Sequence, residues 1–77
     1  PNPFDEGTDI PFTISRAENV NLALYDMQGR MVRVLINGSR DAGHHTVHLD
    51  AGTLAKGIYF YKLQSGEFTA VKKLIIW

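Results

Sequence analysis

The sequence predicts an all-β domain, an antiparallel β-sandwich of about six or seven short strands, on three observations. Apolar residues repeat with a period of two, turn residues recur about every 8–12 positions, and no long segment carries a helical period. Ile10, Phe12 and Ile14 alternate with Pro11 and Thr13, which buries one face, and Pro11 suits an edge strand because its missing N–H is not needed there. Val20, Leu22 and Leu24 alternate with Asn21, Ala23 and Tyr25 in the same way. Asp26-Met27-Gln28-Gly29 reads as a hairpin loop in which Gly29 takes positive φ, delivering the chain into a strand over Met31 to Ile36. Asn37-Gly38 is a strong turn dipeptide and predicts the end of that strand.

Gly43 leads into His44 to Leu49, where His45, Val47 and Leu49 share one face. Ala51 to Lys56 reads as a loop or short helical turn that Asp50 can cap. Gly57 opens the strand Ile58 to Leu63, which is apolar on both faces and therefore expected to be central and buried on both sides. Ser65-Gly66 turns the chain into the last strand, Phe68 to Trp77. The nearest architecture is immunoglobulin-like. A small barrel is the alternative, because periodicity does not fix how the sheets close.

At 77 residues the chain is one domain, and a domain near this size hides only about 60% of the surface its unfolded form exposes. With 44% hydrophobic and 21% charged residues it is too apolar for a disordered tail. Eight basic and eight acidic residues leave no net field, and no basic run exceeds Lys72-Lys73, so no nucleic-acid partner is expected. The absence of cysteine removes disulfides, thiol chemistry and thiolate metal sites together. No stretch approaches the ~20 apolar residues of a membrane span, so membrane insertion is not expected. The chain opens on Pro1 rather than Met, without a leader pattern, and reads as a piece of a longer protein whose function it serves.

Candidate chemistry is sparse. His44 and His48 point to one side of their strand and His45 to the other, so at most two could share a metal, whereas Zn²⁺ takes three or four protein ligands. The expected reading is exposed strand histidines. Asp5, Glu6 and Asp9 cluster before the first strand but lack the spacing of a calcium loop, which favours a solvated turn. Ser15, Ser39 and Ser65 stand without a nucleophile elbow, and a chain this short has little room for a water-excluding pocket, so no catalysis and no cofactor are expected. Tyr25, Tyr59, Tyr61 and Trp77 could form the aromatic platform of a carbohydrate-binding or adhesive domain. Tyr59 and Tyr61, two apart on one strand, are equally placed for a sandwich core, the preferred reading.

Taken in order, the pieces are more specific than any one of them: Asn2-Pro3-Phe4 at the start, Asp26 followed by Gly29-Arg30, Gly43 through Asp50, Leu54 with Gly57 and Tyr59, and Lys72-Lys73 before an apolar end. This pattern resembles the type A C-terminal sorting domain of the type IX (Por) secretion system of Bacteroidetes and related bacteria, over essentially the whole chain. Asp5 stands where the family often has Asn, and Leu49 where an aromatic is frequent. The resemblance implies a β-sandwich at the C-terminus of a larger exported protein, reaching the medium or the cell surface by way of the periplasm and outer membrane. It further implies partners in the outer-membrane secretion machinery and a sortase-like protease, which removes the domain and can attach the cargo to surface lipopolysaccharide.

Carried onto this sequence, the recognition element is Lys72, Lys73, Leu74, Ile75, Ile76 and Trp77. Asn2, Pro3, Phe4, Asp26, Gly29, Arg30, Leu54, Gly57 and Tyr59 are then fold-determining. A receptor that takes up this apolar segment as an added strand would gain main-chain hydrogen bonds for affinity and side-chain pockets for selectivity. Lys72 and Lys73 would discourage promiscuous pairing. The same strand could pair weakly with a second copy. A purely structural spacer is the remaining expectation.

Overall fold

The computed structural model describes residues 6–77. Six strands follow one another: β1 (Gly7–Ile14), β2 (Glu18–Asp26), β3 (Met31–Arg40), β4 (Gly43–Asp50), β5 (Gly57–Ser65) and β6 (Phe68–Ile76). All pairings are antiparallel. β1 and β4 form a two-stranded sheet, and β3, β2, β5 and β6, in that order, form a four-stranded one. In immunoglobulin lettering these are strands B and E facing C′, C, F and G, so the expected sandwich is present and the barrel is not. Among the described residues no helix is long and apolar enough to cross a membrane.

The period of two does the sorting. β1 turns Ile10, Phe12 and Ile14 inward, β4 adds Leu49 with Val47 beside it, and the four-stranded sheet answers with Val20, Leu22, Leu24, Ile36, Leu63, Leu74 and Ile76. Leu22, Leu24 and Leu49 are fully buried, each worth about 1.5–3 kcal/mol relative to exposure. On β3 two residues have no cross-strand partner: the register passes from Leu22↔Ile36 to Ala23↔Val34, and from Leu24↔Arg33 to Tyr25↔Met31. The first irregularity lets Leu35 as well as Ile36 reach the core.

Two expectations are corrected. Asn37-Gly38 is not a turn but lies inside β3, with Asn37 opposite Asn21 and Gly38 opposite Val20. Neither residue has positive φ, which the tight hairpin turns favoured by this dipeptide require, and the ladder to β2 overrides the local preference. The chain leaves the sheet after Arg40 and enters β4 at Gly43, whose φ is 126°. The strand β5 is central, as expected, but it is not buried on both sides. Tyr59 and Leu63 face the core, whereas Ile58 is exposed and Phe60 half-buried on the outer face, which no second layer among the described residues covers.

Candidate functional site

Among the described residues, the strand singled out for recognition, β6, lies at the edge of the four-stranded sheet. It follows β5 through a two-residue turn, in register from Ser65↔Phe68 to Gly57↔Ile76. Alternation splits the six proposed recognition residues into two groups. Leu74 and Ile76 point into the sandwich and are buried. Lys73 and Ile75 take the outer face, opposite Phe60 and Ile58. Lys72, opposite Tyr61, is exposed at a cleft of about 270 Å³ between β1 and β6, lined also by Asp9, Ile10 and Leu74. Burial at this position pushes the Tyr61 phenol above its ordinary pKa. Trp77 lies beyond the strand and is 66% exposed.

The loop joining β2 to β3 is organised by one carboxylate. Asp26 Oδ1 accepts hydrogen bonds from the amides of Gln28 (2.9 Å) and Arg30 (3.0 Å), while Oδ2 accepts from Arg30 Nε at 2.9 Å. The Asp26 carbonyl accepts from Gly29 N at 3.0 Å, and the Asp26 amide donates to Arg30 O at 2.9 Å. Gly29 has φ 83°, which a side chain would oppose. Burial alone would raise the Asp26 pKa. The Arg30 and Gln28 hydrogen bonds and the Arg30 charge outweigh it and hold the carboxyl below its usual range.

At the same end of the domain, where Asp26 pairs with Tyr59, Leu54 packs its side chain against the core and donates its amide to Ala51 O at 2.7 Å. The Tyr59 hydroxyl donates to Ala55 O at 2.5 Å. A tyrosine at the start of strand F whose hydroxyl bonds back to main chain a few residues upstream is the tyrosine corner of immunoglobulin-like sandwiches. Gly57, between Leu54 and Tyr59, has φ 151°. Asp50 Oδ1 accepts from Gly52 N at 2.9 Å, the capping contact expected for this loop. Asn2, Pro3 and Phe4 lie outside the described residues.

The histidines do not converge. His44 Nδ1 meets Thr13 Oγ1 at 2.7 Å and His48 Nδ1 meets Asp9 Oδ1 at 2.9 Å on the outer side of the small sheet. His45 faces inward, stacked on Phe12 with ring centroids 5.2 Å apart. Among the described residues no three His, Cys, Asp or Glu side chains are grouped to hold a metal ion. Asp5 lies outside the described residues. Nor do the aromatics share a plane: Tyr59 and Tyr61 are on the inner face of β5, while Tyr25, paired with Phe60, is on the outer face.

Two contacts were not legible in the sequence. Arg33 Nη1 donates to Asp50 O at 2.6 Å, tying β3 to the far end of β4. A Cβ on Gly7 would lie 2.9 Å from both the Leu49 carbonyl oxygen and the His48 ring. Spacing alone does not reveal either, because both join strands from different parts of the chain.

A search of curated proteins finds no match to the chain. The model of one family, described as the secretion system C-terminal sorting domain, matches residues 1–77, the full length. The chain belongs to the family of secretion-system C-terminal sorting domains, the signals that direct cargo across the outer membrane by the type IX pathway.

Proposed function

We propose that β6 and the residue after it, Lys72, Lys73, Leu74, Ile75, Ile76 and Trp77, form the element that the secretion machinery reads. The observation that carries this reading is that β6 is the last strand of the four-stranded sheet and, among the described residues, pairs with β5 alone. An edge strand is the part of a sheet that a receptor can extend by main-chain hydrogen bonding. Lys72 and Lys73 stand exposed on opposite faces of it.

The buried positions divide the recognition into two stages. Lys72, Lys73 and Trp77 are accessible while the sandwich is closed. Leu74 and Ile76 become available only if the strand leaves the core, and terminal segments open at lower cost than central ones. Asp26, Gly29, Arg30, Leu54, Gly57 and Tyr59 hold the fold that presents the strand. After export a sortase-like protease removes the domain, leaving the cargo secreted or attached at the cell surface. Weak pairing of β6 with a second copy accompanies high concentration, and a concentration-independent monomer in sedimentation would count against that part.

The test is the location of the parent protein in its own bacterium, intact and with Lys72 to Trp77 deleted, by fractionation and surface protease accessibility. Folded protein retained in the periplasm after the deletion is the expected result. Unchanged arrival at the surface would overturn the assignment of the signal to β6.

A further inference from the structure

The two outer faces of the sandwich differ in kind. Outside the small sheet stand Asp9, Pro11, Thr13, His44, Thr46 and His48, a surface suited to water. The outer face of the four-stranded sheet is divided. One part is polar, a row of Asn37, Asn21, Gln64 and Thr69. The remainder is assembled by register into two rows, Met31–Tyr25–Phe60–Lys73 and Val34–Ala23–Lys62–Val71. Ile58 and Ile75 continue it beyond Phe60 and Lys73.

This region is open to solvent although most of it is apolar. Met31 is 57%, Val34 50% and Val71 58% exposed. Beside Val71 lies a shallow depression of about 380 Å³ bordered by Tyr25, Asp26, Met27, Phe60, Lys62 and Val71, the form of a seat for a protruding apolar side chain. A contiguous apolar patch with a polar border marks an interaction site on a small domain, and methionine adapts its shape to a partner.

Charge indicates what fits there. The chain is neutral overall, but among the described residues these two rows carry Lys62 and Lys73 and no carboxylate. Asp26, at the corner, is engaged by Arg30. Lys62 Nζ stands 5.5 Å from the centre of the Tyr25 ring, which holds a cation over the apolar floor. A second copy docking by the same face would bring like charges together. Two lysines also fall short of the about four to eight basic residues in clusters that bind anionic lipid.

We propose that the outer face of the four-stranded sheet, centred on Tyr25, Met31, Val34, Phe60, Lys62 and Val71, docks a protein partner whose matching surface combines apolar side chains with carboxylates. The apolar contacts supply area and Lys62 supplies register and selectivity against uncharged surfaces. This rests on the chain acting in export, but it uses the outer side-chain face of the sheet and not the main-chain edge of β6, sharing Lys73 and Ile75 with the β6 element.

The experiment places a photocrosslinking residue at Val34 of the full-length parent protein in its own bacterium, with Thr46 on the opposite face as the reference position. The expected result is a crosslink from position 34, absent from position 46, to a protein segment that contains Asp or Glu. Lys62→Glu should reduce it by about tenfold or more, while Lys62→Arg retains it. A crosslink to the same chain, to lipopolysaccharide, or equally from both positions would overturn the proposal, as would no crosslink at all. Export is measured alongside in Val34→Ser, Lys62→Glu and the deletion of Lys72 to Trp77. Export lost in the deletion but unchanged in both face variants overturns the docking face and leaves the β6 reading standing. Export lost in the face variants but not in the deletion does the reverse.

Discussion

The Tyr59 hydroxyl reaches back 2.5 Å to the Ala55 carbonyl oxygen, closing the loop that carries the chain from β4 in the small sheet to β5 in the large one. Tyr59→Phe removes that bond while keeping the buried ring, and should cost about 0.5–1.5 kcal/mol. Tyr59→Ala also empties part of the core, and should cost about 3–5 kcal/mol by analogy with other large aromatic truncations. Urea unfolding of the two variants, compared at equal m-value, separates the bond from the packing.

Asp26 should make stability depend on pH in one direction. Its folded pKa lies below its unfolded value, so its contribution is fully present above the ordinary Asp value of about 3.9 and is lost as pH falls through the lower folded value. Asp26→Asn keeps an oxygen for the amides of Gln28 and Arg30 but loses the charge that holds the guanidinium. The melting temperature of the variant should fall below that of the parent at neutral pH, with the gap closing only in strong acid. A gap that stays constant down to the lowest pH reached would contradict the charge-based account.

Gly7→Ala should destabilise the sandwich by about 1–3 kcal/mol, because its new methyl group meets main chain and cannot be relieved by a rotamer change. The Leu49 carbonyl oxygen is 2.9 Å from where that carbon would sit. Thermal unfolding checks this, and a neutral result would mean that β1 and β4 can separate locally without loss.

Leu74→Ala and Trp77→Ala should behave oppositely. Leu74 is buried in the core, and its truncation should cost about 2–5 kcal/mol. Trp77 is 66% exposed, and its truncation should change stability by no more than about 0.5 kcal/mol. Slower export of Trp77→Ala at unchanged unfolding midpoint would place this residue in recognition. Normal export of that variant would confine recognition to the strand itself.

Local features of the fold were legible where a short-range rule governs them. The alternation in β1 and β2 gave the inward residues, and Gly29 does have the positive φ that its hairpin position suggested. Asp26, Leu54 and Tyr59 were visible as an ordered pattern, and each makes a contact within its own loop. Asn37-Gly38 misled for the same reason. A dipeptide reports its own turn preference, and here the pairing of β3 with β2 continues through it.

By itself, then, the sequence determined which side chains of β1, β2 and β4 face inward, where most of the turns lie, and the family to which the ordered motifs belong. Tertiary structure decided which strand joins which sheet, and therefore that β6 is the last strand of the larger sheet among the described residues, with Leu74 and Ile76 committed to the core. It also decided that Val34, Ala23, Lys62 and Val71, from four separate strands, form one row on the outer face of the sheet. The division has a physical cause: side-chain direction repeats every two residues within one strand, whereas neighbours across a sheet are set by register between segments distant in the chain.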